Sequence, residues 1–193
     1  MPEVQPRMVR FREIEVEDGK LILDWRTSEK VSQYMSTEVK YDLKKQRDWI
    51  LDCYSKKDYY HWIVNYKNKD IGYINLSSLD LTQKKTSWGF YIGADNVLGL
   101  GSIIPLYFYN YCFYTLSLNS IYGQVFSTNS NLIKMHVYHG YEKDPANDEY
   151  IFKNDKKILT KSYILTKENF IKKNFSNYIK DFPVTKWKGL SKS

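Results

Sequence analysis

Apolar and polar positions alternate along this chain with two different periods, and the order of those periods outlines a fold. Residues 9–14 alternate as a β-strand does. The apolar residues of 21–35 and 43–56 recur at helical spacing, with an interruption of the first segment near Ser28. Asp42 stands where an N-cap would precede the second segment. These patterns predict a strand, a broken helix and a second helix.

Three strands and a buried helix are predicted next. Residues 60–66 and 71–75 alternate on either side of a turn-prone sequence at 67–70, which predicts an antiparallel hairpin. A further strand is predicted over 87–93. Residues 99–116 are apolar on nearly every side, as in a helix that is buried on several faces. We therefore expect this helix in the core.

The last part of the chain adds two strands with a short helix between them. The strands are predicted over 120–126 and 158–165, and the helix over 129–139, where Gly140 stops it. A charged helix over 167–179 ends the pattern. The order of these elements predicts an α/β (α+β) protein with a mixed sheet.

Length and composition favour one folded domain. The chain has 193 residues, of which 42% are hydrophobic and 17% aromatic, and this excludes disorder over most of its length. We place the domain at 1–166 and a basic C-terminal helix and tail at 167–193. Cys53 and Cys112 lie in apolar segments without CxxC spacing or a nearby histidine. We therefore expect buried reduced thiols and no metal site.

Charge and hydropathy limit the partners and the location. No run approaches the roughly 18 apolar residues that cross a bilayer, and the first ten residues lack a signal-peptide pattern. We therefore expect a cytoplasmic protein without a membrane partner. The formal net charge of +7 favours an anionic partner, a class that includes nucleic acid, a phosphate-bearing cofactor and a sugar nucleotide. Charge alone does not choose among them.

The loop before the apolar helix is the most informative candidate for a ligand-binding segment. Two glycines one residue apart open that helix directly after a strand, and the first amides of a helix have no acceptor within it. These amides and the helix dipole together suit a pyrophosphate. Ile104 breaks the dinucleotide fingerprint GxGxxG, and no Gly-Lys-Ser/Thr of a P-loop is present. The predicted phosphate cradle comprises Asn96, Val97, Leu98, Gly99, Leu100, Gly101 and Ser102.

This loop resembles motif A of the GNAT superfamily of N-acetyltransferases, which usually reads Gln/Arg-x-x-Gly-x-Gly/Ala. Asn96 takes the Gln/Arg position, so a long side chain near the phosphates is lost while the main-chain cradle remains. Downstream, Asn129, His136 and Gly140 fall at the spacings where the superfamily has Asn, Tyr and Gly. The resemblance extends over residues 9–166.

The resemblance implies a mixed, mostly antiparallel sheet in which the strand over 88–92 is splayed from its neighbour by a bulge. Acetyl-CoA would be the co-substrate, with its pantetheine arm paired to the main chain of Phe90, Tyr91 and Ile92, and Asn129 would be a further cofactor-binding residue. Amides near Tyr91 would stabilise the oxyanion, and the acceptor amine would attack the thioester directly.

The proton transfers are less clearly assigned. His136 takes the place of the tyrosine that usually protonates the leaving thiolate, so an imidazolium there is the candidate acid, with Tyr138 as the alternative. A packing role for His136 is equally compatible with the sequence. Ser127 and Thr128 stand where related sugar acetyltransferases carry an acid, so we expect deprotonation through ordered water.

Residues 21–26, 34–36 and 46–50 resemble the acetyltransferase family of the pseudaminic acid pathway, which acetylates the 4-amino group of a UDP-linked dideoxy sugar. The resemblance implies that Arg26 contacts the diphosphate, whose oxygens its planar guanidinium can pair with. The acceptor-binding residues implied in the same way are Arg26, Gln46, Asn75 and Trp88. A dTDP-linked sugar fits these residues equally well.

Other activities remain open at this point. A GNAT enzyme of this length could acetylate a protein N-terminus or an aminoglycoside, or the domain could bind acyl-CoA without catalysis. We expect no nucleic-acid partner, although the basic tail is compatible with one. The sequence leaves the oligomeric state open, a homodimer included.

Overall fold

The computed structural model describes residues 9–97 and 99–175. The strands found there are β1 (Val9–Glu13), β2 (Tyr60–Tyr66), β3 (Lys69–Asp80), β4 (Lys85–Ile92), β5 (Ser120–Phe126), β6 (Glu142–Lys143), β7 (Glu149–Lys153) and β8 (Lys156–Thr166). The α-helices are α1 (Gly19–Thr27), α2 (Glu29–Ser32), α3 (Leu43–Cys53), α4 (Ile104–Asn110), α5 (Ser130–His139) and α6 (Lys167–Lys172).

The strands form one eight-stranded sheet in the order β1-β2-β3-β4-β5-β8-β6, and β7 pairs with β8. All neighbouring pairs are antiparallel except β4 and β5, so the predicted mixed and mostly antiparallel sheet is confirmed. The predicted hairpin of β2 and β3 is also confirmed. Lys67 and Asn68 both have positive φ at its turn, as the hairpin turns that match strand twist require.

The parallel strands β4 and β5 separate soon after they meet. They pair at three positions, the last of which joins Ser87 to Tyr122, and then continue apart to Ile92 and Phe126. This is the predicted splay. The expected bulge is displaced, however, because the register irregularity lies on β3 between Ser77 and Asp80, where one extra residue opposes β4.

The predicted helix over 99–116 is buried as expected, but it is not one regular helix. A 3-10 turn at Leu100–Ser102 precedes α4, and a π-helical turn over Tyr111–Thr115 follows it. Gly99 has φ of +80°, which a right-handed helix cannot continue through, and this delays the helix start. Every residue of α4 is buried, and Tyr107, Phe108 and Tyr109 are the largest of them.

Sequence periodicity missed β6 and β7. β6 has only two residues, and β7 places aromatic side chains on its outward face, where Phe152 is 76% exposed. A strand with apolar residues on both faces lacks the polar alternation that identifies a half-buried strand. β7 and β8 form a hairpin whose turn, Asn154 and Asp155, has positive φ at both residues.

The C-terminal helix shares the core of the domain. The Thr166 hydroxyl accepts a hydrogen bond from the Asn169 amide at 3.1 Å, which caps α6 immediately after β8. The Phe170 ring is fully buried and lies 5.4 Å, between centroids, from the ring of Phe113. The Phe170 ring of α6 therefore packs into the core of the domain, and the rest of the predicted tail, 176–193, lies outside the described residues. None of the described helices is long and apolar enough to cross a membrane.

Gly72 offers a test of the packing between β3 and β4. A Cβ at this position would lie 2.4 Å from the main-chain oxygen of Tyr91. Because main-chain atoms must shift, we expect Gly72→Ala to lower the free energy of unfolding by about 1–3 kcal/mol in denaturant titrations. A wild-type midpoint in this variant would contradict the close approach of the two strands.

Candidate active site

One large cavity of about 2060 Å³ opens where β4 and β5 separate. Its floor is formed by the splayed strands, and residues 34–40 from the segment between α2 and α3 line it from above. The N-terminal turns of α5 and the β7–β8 hairpin complete the walls. The glycine loop, β4 and α5, which the sequence analysis linked to catalysis, therefore border the same cavity.

The phosphate cradle is open to this cavity at its glycines. A Cβ at Gly99 would have no heavy atom within 4 Å, and one at Gly101 would meet only the Ile92 side chain, at 3.7 Å. Gly99, Gly101 and Ser102 line the cavity, whereas Leu100 is buried in the core. Among the other predicted cradle residues, Asn96 and Val97 do not line the cavity, and Leu98 lies outside the described residues.

The edge of β4 provides main-chain groups for a ligand. Phe90, Tyr91 and Ile92 pair with β3 on one side, and on the other side β5 has already diverged from them. All three residues line the cavity. Asn129 lies at the same end and caps α5, accepting a hydrogen bond from the Leu132 amide through its side chain at 3.1 Å. An extended ligand can therefore add to β4 as a strand would.

Three of the four predicted acceptor residues lie on the same side of the sheet. Arg26, Gln46 and Asn75 line the cavity on the side of α1 and α3. Asn75 pairs with Gly89, and its side-chain oxygen would be 2.5 Å from a Cβ there, so the amide lies across that glycine. The absence of a side chain at Gly89 thus allows Asn75 to reach the cleft.

Trp88 lies on the other face. Its indole stacks on the Phe108 ring at 5.6 Å and meets the Tyr109 ring edge-on at 5.2 Å, both from α4. The partly buried indole therefore borders the cleft from the side of α4, and its contact with the acceptor stays a prediction.

Arg26 is a partly buried cation with an unused donor. Its Nη2 donates to the carbonyl of Thr37 at 3.0 Å and to the Thr37 hydroxyl at 2.6 Å, while its Nη1 is buried without a partner among the described residues. Burial lowers the pKa of Arg26, and the nearby tyrosines Tyr91, Tyr73 and Tyr59 oppose that shift. Within residues 9–97 and 99–175 no carboxylate pairs with Arg26. Its charge is available to an anionic ligand.

His136 is buried beside the cleft as a neutral ring. It is 2% exposed and stacks on the Tyr141 ring at 4.3 Å, with the Tyr163 ring edge-on at 5.3 Å. Burial lowers the pKa of His136 to about 3. The expectation of an imidazolium acid at neutral pH therefore fails, because the charged form would be desolvated. The ring still lines the cavity, and its Nδ1 has no partner within the described chain.

Tyr138, the alternative acid, points away from the reaction cleft. Its side chain is 59% exposed and packs against Phe175, and it is absent from the cavity wall. Two positions along a helix turn a side chain by about 200°, so His136 and Tyr138 cannot serve one site. The structure thus brings only the first of the two candidate acids to the cleft.

The other two histidines have structural contacts. His139 donates from Nε2 to the Ser102 carbonyl at 2.8 Å, which joins the end of α5 to the cradle, and burial lowers the pKa of His139 to about 4. His61 is hydrogen-bonded to Tyr73, and burial lowers the pKa of His61 to about 3.

Two carboxylates near β7 that line the cavity escaped the sequence analysis. Glu149 of β7 accepts a hydrogen bond from the Gln124 side chain at 3.0 Å, and Asp144 lies in the preceding turn. Their positions depend on β6 and β7, for which the sequence carried no clear signal. The cavity therefore has the cation of Arg26 on one wall and the carboxylates of Asp144 and Glu149 on another.

The expectations about cysteine and metal can also be compared with the structure. Cys53 and Cys112 are free and fully buried, as predicted, and burial raises the pKa of the Cys53 thiol to about 11. In the described part of the chain no group of three or more His, Cys, Asp or Glu side chains could hold a metal ion.

Comparison with known proteins identifies the class. The family model described as Acetyltransferase (GNAT) domain matches residues 8–142, and the chain belongs to this acetyltransferase family. Two relatives from Campylobacter jejuni strains, both named Acetyltransferase PseH, are 24% identical over 130 residues, which cover 67% of this chain and 80% of each relative. The spermidine N-acetyltransferase of Vibrio cholerae, solved with CoA and spermine, has a similar fold, with a TM-score of 0.78 at 15% identity over 86% of this chain and 99% of that one.

The protonation of the histidines can be measured directly. Because the pKa values of His61, His136 and His139 are all lowered by burial, we expect their ring proton NMR signals to stay unchanged between pH 8 and 5. The unfolded chain takes up protons near pH 6.5, so the free energy of unfolding should fall as the pH drops from 7 towards 4. A ring that titrates near pH 6.5 in the folded protein would show that its burial is incomplete.

Proposed function

We propose that this protein transfers an acetyl group from acetyl-CoA to the amine of a nucleotide-linked amino sugar, such as a UDP-4-amino-4,6-dideoxy sugar. The buried Nη1 of Arg26, unpaired beside the cleft of an acetyltransferase fold, is the observation that carries the acceptor assignment. The PseH relatives support the same class of substrate at low identity.

The residues present fit acetyl-CoA. Gly99 and Gly101 keep the approach to the first helical amides clear, so a diphosphate can accept their hydrogen bonds there. The free edge of β4 suits the amide groups of pantetheine. Acetyl-CoA supplies the activated acetyl group, and the residues of the cleft orient it towards the acceptor.

The acceptor enters from the side of Arg26. A diphosphate offers oxygens to the unpaired guanidinium nitrogen, and a buried cation is stabilised by an anion in the same low-dielectric space. Gln46 and Asn75 lie along the same wall and provide amide groups for sugar hydroxyls. In this proposal the nucleotide lies away from the reacting carbonyl and the sugar lies close to it.

The reaction needs no covalent enzyme intermediate. The amine attacks the thioester carbon, main-chain amides near Tyr91 stabilise the oxyanion, and the thiolate leaves. His136 enters as a neutral ring, so it acts on the leaving sulfur by hydrogen bonding rather than by a full positive charge. The cytoplasmic location and a homodimer stay predictions from the sequence.

The cradle can be tested with Gly101→Val. The side chain would occupy the space of the cofactor without striking the protein, since only Ile92 is near. We expect the Kd for CoA, measured by calorimetry, to rise by at least about tenfold, equivalent to about 1.4 kcal/mol, while the melting temperature changes little. A wild-type Kd of this variant for CoA would show that the diphosphate does not bind at the glycine loop.

The acceptor assignment can be tested with Arg26→Met, compared with Arg47→Met, an exposed arginine on α3. Thiol release would be followed with UDP- and dTDP-amino sugars, spermidine and an aminoglycoside. We expect turnover with a sugar nucleotide and, in Arg26→Met only, a KM for it raised about 10–100-fold, because a charged hydrogen bond is lost. Turnover restricted to the polyamine or the aminoglycoside would reject the sugar nucleotide.

A further inference from the structure

We propose that Glu149 is the general base that takes the proton from the acceptor ammonium, assisted by Gln124 and Thr160. This inference rests on the proposed acetyl transfer, but not on the acceptor being a sugar. It replaces the expectation that ordered water alone removes the proton. No residue of the β7–β8 hairpin was assigned a role by the sequence.

The first argument is the position of the carboxylate. Glu149 pairs directly with Thr160 on β8, and Thr160 pairs with Phe126 on β5, so these side chains share one face of the sheet. Gln124 lies on that face too and donates to the Glu149 carboxylate at 3.0 Å. This contact holds the carboxylate over β5, and both residues line the cavity.

The second argument is the relation of this pair to the cleft. The last paired residues of the parallel strands are Ser87 and Tyr122. Gln124 is two residues beyond on β5, and Gly89 is two residues beyond on β4, so they flank the opening where the strands diverge. Asn75 crosses Gly89 on the same face. An acceptor amine bound at this opening would have the Asn75 amide on the side of β4 and the Glu149 carboxylate on the side of β5.

The third argument is independent of the acidic side chain. Thr160 is 4% exposed and lines the cavity, yet its hydroxyl has no hydrogen-bond partner among the described residues. A buried hydroxyl without a partner is destabilising, and a hydrogen bond to a bound amine or water would relieve this. Thr160 is paired with Glu149, so its unpartnered hydroxyl is next to the place where the acceptor amine would be held.

The proton balance of the step is complete. The Glu149 carboxylate takes one proton from the acceptor ammonium, and the neutral amine attacks the acetyl carbon. A carbon–nitrogen bond forms, the carbon–sulfur bond breaks, and the second amine proton passes to the thiolate to give the CoA thiol. Glu149 then releases its proton to solvent. The products are an amide, CoA and one proton.

Other charged groups face the same space and must be considered when the pH is varied. They come from the turn after β6, the segment above the cavity, the three helices α1 to α3 and β4, and they are Asp144, Glu38, Lys40, Arg26, Lys30, Asp42, Lys45 and Lys85. Lys153, on the same face of β7 as Glu149, is engaged by the carbonyls of Ser32 and Met35. None of these replaces Glu149 next to Gln124 and Thr160.

The test compares Glu149→Gln with Glu142→Gln, which changes an exposed carboxylate on β6 that does not line the cavity. The substrate is whichever amine of the panel is turned over fastest. We expect kcat of Glu149→Gln to fall about 100-fold at pH 7, with unchanged CoA affinity and melting temperature, and the control to match wild type. The loss should shrink above the pKa of the acceptor ammonium, where solvent removes the proton.

Thr160→Val provides a second variant of equal shape, for which we expect a smaller fall in turnover. A kcat for Glu149→Gln within twofold of wild type, or an equal loss at every pH, would overturn the role of Glu149. If spermidine were the only amine turned over, the sugar nucleotide would be rejected as the acceptor. Comparing the variants with spermidine would still test the role of Glu149. Failure of every amine would overturn both proposals.

Discussion

The separation of β4 from β5 after three residue pairs is the constraint on which the rest of the site depends. Two parallel strands that stay paired satisfy each other's main-chain groups. Here the edge of β4 that faces β5 is unpaired from Trp88 to Ile92, although the other edge pairs with β3. Main-chain donors and acceptors removed from water need partners. The cleft is therefore suited to a ligand that brings its own amides, and the helix start at its end is suited to that ligand's phosphates.

The distribution of unpaired buried atoms follows the same logic. Arg26 Nη1 and the Tyr91 hydroxyl lie on one wall, while His136 Nδ1, the Thr160 hydroxyl and the Tyr163 hydroxyl lie on the other side of the opening. Native proteins leave few such groups, so five around one cavity indicate the polarity of its occupant. Arg26 and Glu149, at opposite parts of this cavity, match the anionic end and the amine end of the proposed acceptor.

Local patterns predicted most of the fold and only half of the site. Strong periodicity predicted most of the helices and the β2–β3 hairpin, and the two glycines indicated the loop that opens into the cleft, because each depends on residues close in sequence. The neutral state of His136 could not be predicted, since it results from Tyr141 and Tyr163 enclosing the ring. Glu149 was missed for a related reason, as only the register with β8 places it beside Thr160.

The burial of both cysteines has a practical consequence for the enzymology. Cys53 and Cys112 are the two cysteines of the chain, and neither is reachable by a reagent in solution while the protein is folded. A colorimetric thiol reagent present during turnover would thus respond to liberated coenzyme and leave the native polypeptide unlabelled. A slow extra signal that approaches two equivalents per chain would report denaturation, so a single assay distinguishes an inactive variant from an unfolded one.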